Sequence, residues 1–302
     1  MDIRHLRQIL AIRDHGSFAK AAEALHVAQP ALSKSMAKIE DELRLTIFTR
    51  TSTGSELTPM GEMIAERAER VMAATQNLAR DAALVAGGDA GAVRLGVGAP
   101  LRETLLPRLL SKIIEAHPRL RFQIELGVRS RLLPLLQRRE LDLVLCPADP
   151  SNSSLVYVEA MRAELMFVAS PAHPLASERS ISIERLSEFP CAGTSSPGYT
   201  ASALLGRGPA SASLDAYTAN DLEAVMPLVR RGHAALIAPS FFVQEALRSG
   251  ELVRLDVEWT AAEGYGCYTT HAASFSPILA QITRLAVELG DAIQQDWRDL
   301  RE

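Results

Sequence analysis

Two Ser-x-x-Lys tetrads come nearer to a catalytic motif than any other pattern in this chain. Ser17 precedes Lys20 and Ser35 precedes Lys38 at the spacing of nucleophile and base in serine acyl-transfer enzymes, but the companion motifs of those enzymes are missing. Gly96-Val97-Gly98 lacks the third glycine of a dinucleotide fingerprint, and the seven histidines show no metal-ligand spacing. We therefore predict no catalytic residue, no metal and no cofactor.

Both tetrads lie in residues 17–43, whose apolar spacing predicts two short helices. Ser17 has the side chain of an N-cap, and apolar residues then recur at helical spacing as far as Leu25. A second helix is predicted to begin at Pro30, because proline has no N–H to leave unbonded in a first turn. Two such helices joined by a few residues pack as a helix-turn-helix, which is a DNA-binding motif. The apolar face of the second helix consists of Leu32, Met36, Ile39 and Leu43.

The opposite face of the second helix carries the candidate DNA contacts. Short polar side chains near its start allow close approach to base edges in a major groove, and two lysines one turn apart suit phosphates or guanines. A solvated surface helix is the alternative for this pattern taken alone. The predicted DNA-binding residues are Ser17, Gln29, Pro30, Ala31, Ser33, Lys34, Lys38 and Arg50.

Flanking segments complete a small DNA-binding domain. Apolar spacing over residues 3–12 predicts a first helix, and strand-like residues around a glycine-containing turn predict a short hairpin, or wing, over residues 45–58. Arg50 lies at the base of this wing, where a guanidinium suits a phosphate or the minor groove. The alternative for Arg50 is a surface ion pair with Glu56.

These residues resemble the winged helix-turn-helix of the LysR-type transcriptional regulators. The resemblance is carried by FAKAAEALHVAQPALSKSMAKIEDEL, Ile47-Phe48, Arg50 and ELTPMGE, and it departs from the usual family pattern at Val27-Ala28 and Thr46-Ile47. It implies a sequence-specific regulator that binds double-stranded DNA and, if it is an activator, RNA polymerase.

A long helix is predicted from Thr58-Pro59 to Gly87-Gly88. Apolar or small residues follow one another along it in steps of four and three, which is the pattern of a coiled-coil seam, although Gly61 and Thr75 weaken it. A helix of about 40 Å cannot bury this stripe on its own small domain, so we predict a homodimer, and the resemblance implies a homotetramer. Packing along the chain's own C-terminal domain is the alternative. The seam positions are Leu57, Gly61, Ile64, Ala68, Val71, Thr75, Leu78, Ala82 and Val85.

Composition bounds the remaining possibilities. The 302 residues suffice for two or three ordinary globular units, and the net charge of −4 would not by itself predict DNA binding. Charges near the N-terminus and the absence of a long apolar run predict a cytoplasmic protein without a membrane segment. A solute-binding protein with an unusual N-terminus is the alternative from another class, and it would require export.

Three widely separated cysteines, Cys146, Cys191 and Cys267, suit a reducing compartment. We predict that they are buried small apolar residues. A redox-sensing regulator, as some relatives are, is the alternative.

From Ala92 onward, strand and helix patterns alternate as in a parallel α/β sheet. A long extended stretch at 155–170 would cross to a second α/β set at 181–257, and a return strand at 265–270 would precede a helix over 277–296. This arrangement resembles the two-lobed, periplasmic-binding-protein-like α/β effector domain of the LysR family. The predicted domains are a winged helix-turn-helix over 1–58, a dimerisation linker helix over 59–87 and an effector domain over 88–302, with lobe I at about 92–161 and 266–302 and lobe II at about 162–265.

The resemblance places an effector site between the two lobes. Two arginines and the start of a helix favour a small organic acid there, and Tyr199 allows an aromatic one. Ser130 also has the side chain of an N-cap, and Ala99 stands where the family often has a hydroxyl. A pure cap, solvated arginines and a plain loop at 194–196 are the alternatives. The predicted effector-binding residues are Ala99, Pro100, Leu101, Arg102, Arg129, Ser130, Cys146, Thr194, Ser195, Ser196, Tyr199 and Pro239.

Overall fold

The computed structural model describes residues 1–51, 54–85, 92–195, 200–206 and 213–301. The chain divides into two compact units, residues 1–80 and residues 81–302. Each unit is described by itself below.

The N-terminal unit is a three-helix core with a two-stranded wing and the first part of a long helix. Asp2 caps the first helix, Gly16 ends it in the left-handed conformation, and Ser17 caps the second by accepting from Lys20 N at 3.4 Å. The third helix begins one residue earlier than predicted, with Pro30 in its first turn. The elements are α1 Ile3–His15, α2 Phe18–Ala24, α3 Gln29–Leu43, β1 Phe48–Thr51, β2 Gly54–Leu57 and α4 Pro59–Val85.

Glu40 on α3 fixes the wing to the helical core. Its carboxylate accepts from Ile47 N at 2.6 Å and from Phe48 N at 3.1 Å, so the first wing strand starts from the side of α3. At the far end of the wing, Ser55 N donates to Gly16 O at 2.9 Å. The core beneath is buried and apolar and contains Ile9, Ile12, Ala21, Ala22, Leu32, Met36, Ile39, Ile47 and Phe48. Because Leu32, Met36 and Ile39 pack into this core, the opposite face of α3 is directed toward solvent.

The C-terminal unit is built on one mixed sheet. Its strands are β3 Ala92–Gly98, β4 Arg121–Gly127, β5 Leu143–Pro147, β6 Val156–Ala169, β7 Cys191–Thr194, β8 Tyr217–Ala219, β9 Ala235–Pro239, β10 Val253–Arg254 and β11 Ala261–Thr269. Its helices are α5 Leu105–Ala116, α6 Arg129–Gln137, α7 Ile183–Leu186, α8 Ala201–Leu204, α9 Met226–Arg230, α10 Ser240–Arg248 and α11 Pro277–Arg301. The strand order is β4-β3-β5-β11-β6-β9-β7-β8, with β10 paired to β6.

Two parallel groups of strands are separated by two antiparallel strands. β3, β4 and β5 are parallel to one another, as are β7, β8 and β9, whereas β6 and β11 pair antiparallel between the groups. The prediction of parallel strands over β3, β4 and β5 is confirmed, whereas the crossing strand β6 and the return strand β11 run antiparallel side by side. β11 also begins at Ala261, earlier than predicted, and α11 extends to Arg301.

Each parallel group has its own apolar core. In the first group, α5 and α11 cover one face and α6 covers the other, with Leu95 and Leu132 among the buried side chains. The second group is covered by two further clusters, which contain Val229 and Leu186. A register shift in the β6–β11 pairing, between Tyr265 and Gly266, lies at the junction of the groups.

Candidate functional site

The outward face of α3 presents the predicted DNA contacts to solvent. Gln29, Pro30, Ala31, Lys34 and Lys38 are exposed. Ser33 is half-buried and, together with Gln29 and Ser17, lines a groove bounded by α2, α3 and the wing. Short side chains thus flank this groove near the start of α3, and the lysines lie further along the helix.

Arg50 lies on β1 opposite Ser55 in the wing. The position of its side chain is outside the described part of the structure. Thr49 lies opposite Glu56 in the same hairpin.

The serines of the two Ser-x-x-Lys tetrads make structural hydrogen bonds. Ser17 caps α2, and Ser35 Oγ donates to Gln8 Oε1 on α1 at 2.6 Å. Both lysines are exposed on the surface of the N-terminal unit. Each serine therefore fixes helix geometry in the winged helix-turn-helix.

The predicted seam of α4 divides into two parts. Gly61 is buried so closely against the wing that an added Cβ would overlap Ile47 O. Ala68 is also buried, and Ile64 packs partly against the core of the N-terminal unit. Further along, Val71 is 46% exposed and Leu78 is 71% exposed. The first seam positions are thus used within the chain, while the described part of the second half presents apolar side chains to solvent.

A cavity lies where the two parallel strand groups of the C-terminal unit meet. It is bounded by the C-terminal ends of β3, β4, β5, β7 and β9, as expected for a ligand site in an α/β sheet. Its lining is Gly98, Ala99, Pro100, Gly127, Val128, Arg129, Pro147, Leu165, Thr194, Leu204, Asn220, Leu222, Ile237, Ala238, Pro239, Glu263 and Tyr265.

The cavity brings together five of the predicted effector residues: Ala99, Pro100, Arg129, Thr194 and Pro239. Two others, Ser196 and Tyr199, lie outside the described residues. The remaining five, Leu101, Arg102, Ser130, Cys146 and Ser195, are placed beside the cavity lining and not in it.

Local geometry explains why three of these five residues lie outside the cavity lining. Leu101 is fully buried in the core, and Cys146 points into the cluster beneath α6. Ser130 is the second residue of α6, whose N-cap is Val128, so the prediction of Ser130 as an N-cap is wrong. The backbone of Val128 already adopts the extended conformation of a cap, although its side chain cannot accept a hydrogen bond.

The other two residues, Ser195 and Arg102, lie outside the lining and bond to polar partners there. Ser195 Oγ donates to Asn220 Oδ1, and Ser195 N donates to Ala219 O at 2.9 Å. Arg102 donates to Asp221 and, through Nε, to Glu103 at 2.8 Å. Arg102 therefore links two acidic side chains at the edge of the cavity.

Arg129 lines the cavity and also contacts the loop after β5. Its Nη1 donates to Ala148 O, and its Nε lies 3.8 Å from Asp149 Oδ2. The hydrogen bond from Ser151 and the charge of Arg129 lower the pKa of Asp149. The guanidinium is thus held in place by the protein, with its side chain 15% exposed.

Glu263 and Tyr265 are cavity residues that the sequence interpretation missed. They lie on β11, Glu263 is 9% exposed, and its Oε2 accepts from Tyr265 Oη at 2.8 Å. A single carboxylate in a buried central strand is an available sequence signal, since such side chains are rarely fully buried without a specific role. The predicted return strand began at residue 265, so Glu263 fell outside it.

The three cysteines are buried in three separate core clusters. Cys146 lies opposite Gly266 in the β5–β11 pair, so Cys267 is one residue further and its side chain points to the other face of the sheet. Burial raises the pKa of each thiol, to about 12 for Cys191 and Cys267. The geometry favours small apolar packing residues over a redox pair.

Within the described residues, no helix is long and apolar enough to cross a membrane, and no group of His, Cys, Asp and Glu side chains is arranged to hold a metal ion.

Two family models together match almost the whole chain. The model described as a bacterial regulatory helix-turn-helix protein of the lysR family matches residues 3–62. The model described as a LysR substrate binding domain matches residues 86–290.

Similar proteins and structures agree with these matches. The RuBisCO operon transcriptional regulator of Allochromatium vinosum is 29% identical over 262 residues, which is 85% of this chain and 86% of that protein. The SDS degradation transcriptional activation protein of a Pseudomonas species is 28% identical over 283 residues, which is 91% of this chain and 92% of that protein. A full-length OxyR variant of Pseudomonas aeruginosa has the same fold with a TM-score of 0.59 and 22% identity, covering 97% of this chain and 95% of that chain. AphB of Vibrio cholerae has the same fold with a TM-score of 0.58 and 17% identity, covering 97% of this chain and 99% of that chain.

Proposed function

The chain belongs to the LysR family of bacterial regulatory proteins, and from that premise we propose that it is a sequence-specific regulator whose operator binding is controlled by a small molecule. The observation that carries the proposal is the cavity at the junction of the two strand groups, lined from both sides. A molecule bound there contacts both groups at once. Its binding energy can therefore favour one arrangement of the groups over another.

DNA binding is proposed to rest on α3 and the wing. Gln29 and Ser33 would read base edges, because they lie along the groove near the start of the helix. Lys34 and Lys38 are exposed on the same helix and would contact phosphates. Ser17, Pro30, Ala31 and Arg50 complete the proposed contact set.

The effector is proposed to be a small organic acid. Arg129 supplies a cation at the cavity wall, and the N-terminal end of α6 has no side-chain cap, so its amide groups face the same region. Apolar residues such as Leu165, Ile237 and Ala238 would enclose the body of the molecule.

Assembly and domain limits are proposed as well. We infer a winged helix-turn-helix domain over 1–58, a linker helix over 59–87 and an effector domain over 88–302, whose lobes would meet at β6 and β11. Exposed Val71 and Leu78 support pairing of α4 with a second copy, and a tetramer would form from two such dimers. A regulator of this kind would act in the cytoplasm and, as an activator, would contact RNA polymerase.

The proposal is tested by coupling ligand binding to operator binding. A panel of small organic acids is screened by thermal shift on the full-length protein, since a ligand specific for the native state raises its melting temperature. Each ligand found is then added to titrations with an operator selected from random DNA. We expect a change in operator affinity of about 5- to 150-fold, the usual range of such coupling.

A matched pair of variants identifies the site. Ala99→Phe fills the cavity, whereas Ala262→Phe places the same ring on an exposed position outside its lining. Ligand effects that persist in Ala99→Phe, or stabilising ligands that never change operator affinity, would contradict the proposal.

A further inference from the structure

Asn220 presents an amide to the cavity from the second strand group. It follows β8, it is exposed, and it lies in the same lining as Arg129, which follows β4 in the first group. β4 and β8 stand at the two ends of the strand order. One strand group therefore contributes a cation to the cavity, and the other contributes an uncharged amide.

Ser195 fixes the direction of the Asn220 amide. Its hydroxyl donates to Asn220 Oδ1, and its backbone N–H donates to Ala219 O at 2.9 Å, so the two strand ends are held side by side. The amide nitrogen, Nδ2, is left with two N–H donors. Within the part of the chain that the structure describes, no protein acceptor bonds to Nδ2. These donors are available to a molecule bound in the cavity.

The charges of the lining favour an effector with a single acid group. Among the described lining residues, Arg129 is the only cation and Glu263 is the only acidic side chain, which already accepts from Tyr265 Oη at 2.8 Å. A first carboxylate pairs with Arg129. A second one would give up its water in a mostly apolar cavity for neutral donors alone, which is costly for a charged group. A neutral oxygen avoids that cost.

We propose that Asn220 is a specificity-determining residue, which selects effectors with one carboxylate and, at the other end of an apolar body, a neutral oxygen acceptor such as a ketone. This inference rests on the proposed function, because it assumes that the cavity is the effector site. The carboxylate binds at Arg129, and the neutral oxygen accepts from Asn220 Nδ2. A molecule with both groups thus joins the two strand groups by polar contacts, whereas a simple alkyl acid makes only the first.

The test uses two trios of probes, and the members of each trio differ at one end only. Valerate, levulinate and succinate end in an ethyl, an acetyl and a carboxylate group; para-ethylbenzoate, para-acetylbenzoate and terephthalate repeat the series on a ring. Isothermal titration measures their affinity for the full-length protein, for Asn220→Asp and for the control Asn152→Asp. Asn152 Oδ1 also accepts from a serine hydroxyl, that of Ser154 at 2.9 Å, but Asn152 is outside the cavity lining.

The readout is the affinity of the ketone relative to that of the alkyl acid. We expect the ketone to bind the unmodified protein about two- to tenfold more tightly, as for one neutral hydrogen bond, and the dicarboxylate to bind more weakly than the ketone. Asn220→Asp replaces the Nδ2 donors by an acceptor, so this preference should disappear, whereas Asn152→Asp should retain it. Ser195→Ala should reduce the preference without abolishing it, because the amide is then held less firmly. A merely structural role for Asn220 would lower both affinities equally and leave their ratio unchanged.

An alkyl acid that binds the unmodified protein as tightly as its ketone would overturn the inference. A ketone preference that survives in Asn220→Asp would do the same, as would a dicarboxylate that binds most tightly of its trio. An unchanged preference in Ser195→Ala would contradict the orienting role of Ser195. If Asn220→Asp fails to fold, Asn220→Ala removes the same donors and is read in the same way, and the ratio in the unmodified protein decides in any case.

Failure of the inference is separable from failure of the proposed function. Alkyl acids that bind as tightly as the ketones and change operator affinity would leave the proposed function standing. Binding by none of the six probes would overturn the inference, and the wider panel of acids would then decide the proposed function.

Discussion

Arg102 and Asp221 form an ion pair that joins the end of the first parallel strand group to the end of the second. Arg102 follows β3 and Asp221 follows β8, 119 positions later in the chain. Partial burial acts to lower the pKa of Arg102, but Glu103 and Asp221 together raise it. The pair lies next to cavity residues on both sides, since Pro100 and Leu222 are in the lining.

We predict a small but measurable coupling between Arg102 and Asp221. Their side chains are 27% and 36% exposed, so solvent screening limits the coupling to about 0.2–1 kcal/mol. A double-mutant cycle with Arg102→Ala and Asp221→Ala, followed by tryptophan fluorescence during urea unfolding, measures it. Both tryptophans, Trp259 and Trp297, lie in the C-terminal unit and report on it alone.

Arg108 and Asp296 supply the control for this cycle. They lie 3.4 Å apart and are about half exposed, so their coupling should be smaller. An equal or larger coupling in the control pair would contradict the prediction.

For DNA recognition, we predict that base readout and phosphate contact separate along α3. Gln29→Ala and Ser33→Ala should each reduce discrimination against wrong bases by about 1–3 kcal/mol. Lys34→Ala and Lys38→Ala should weaken binding to all sequences and lower the salt slope by about one phosphate contact each. Fluorescence anisotropy with selected and random duplexes at several salt concentrations measures both effects.

Lys112→Ala is the matched control for the lysines, because Lys112 is also exposed but lies on α5 of the other unit. Unchanged discrimination after replacement of both Gln29 and Ser33 would show that another element reads the bases.

For assembly, we predict that Val71→Glu with Leu78→Glu halves the mass of the oligomer. Both side chains are exposed in the single chain, and an acidic residue at either position would bury charge in a coiled-coil interface. Light scattering after size exclusion measures the mass. Arg70→Glu introduces the same side chain about 100° around the helix and should leave the mass unchanged. Retention of the unmodified protein's mass in the double variant would exclude pairing through this half of α4.

The three thiols should be inert in the folded protein. Because burial raises the pKa of Cys191 and Cys267 to about 12, almost no thiolate forms at neutral pH, and the thiolate is the reactive species. A chromogenic disulfide reagent should react only after urea unfolding, and peroxide should leave operator affinity unchanged. Rapid reaction of a thiol in the native protein would restore a redox-sensing role.

Periodicity predicted the N-terminal unit well, because its signals are local. Ser17, Pro30 and the apolar positions of α3 determine caps and buried faces within a few residues of themselves. By contrast, the antiparallel pairing of β6 with β11 joins strands about 100 residues apart, and no local spacing encodes which strands become neighbours. The succession of strands and helices was predictable; their order in the sheet was not.

Ala99, Arg129 and Pro239 were predicted from the family resemblance, and all three line the cavity. They lie at or just after strand ends, where α/β sheets generally bind ligands. Arg102 was predicted to face a ligand, but it pairs with Asp221, a residue that a distant strand brings beside it. Glu263 was missed for the complementary reason, since it reaches the cavity from the middle of the sheet and not from a strand end.

The close contact of Gly61 with Ile47 O holds the start of α4 against the segment that leads into the wing. Thr58 N also donates to Ile47 O at 2.9 Å, so two residues near the start of α4 contact the same carbonyl oxygen. In a dimer paired further along α4, any rotation of that helix would therefore be passed on undiminished to α3. One residue added between Gly61 and Val71 would turn the pairing half by about 100° relative to the recognition surface. In the proposed dimer, the length of α4 would therefore set the spacing and the helical phase of the two operator half-sites.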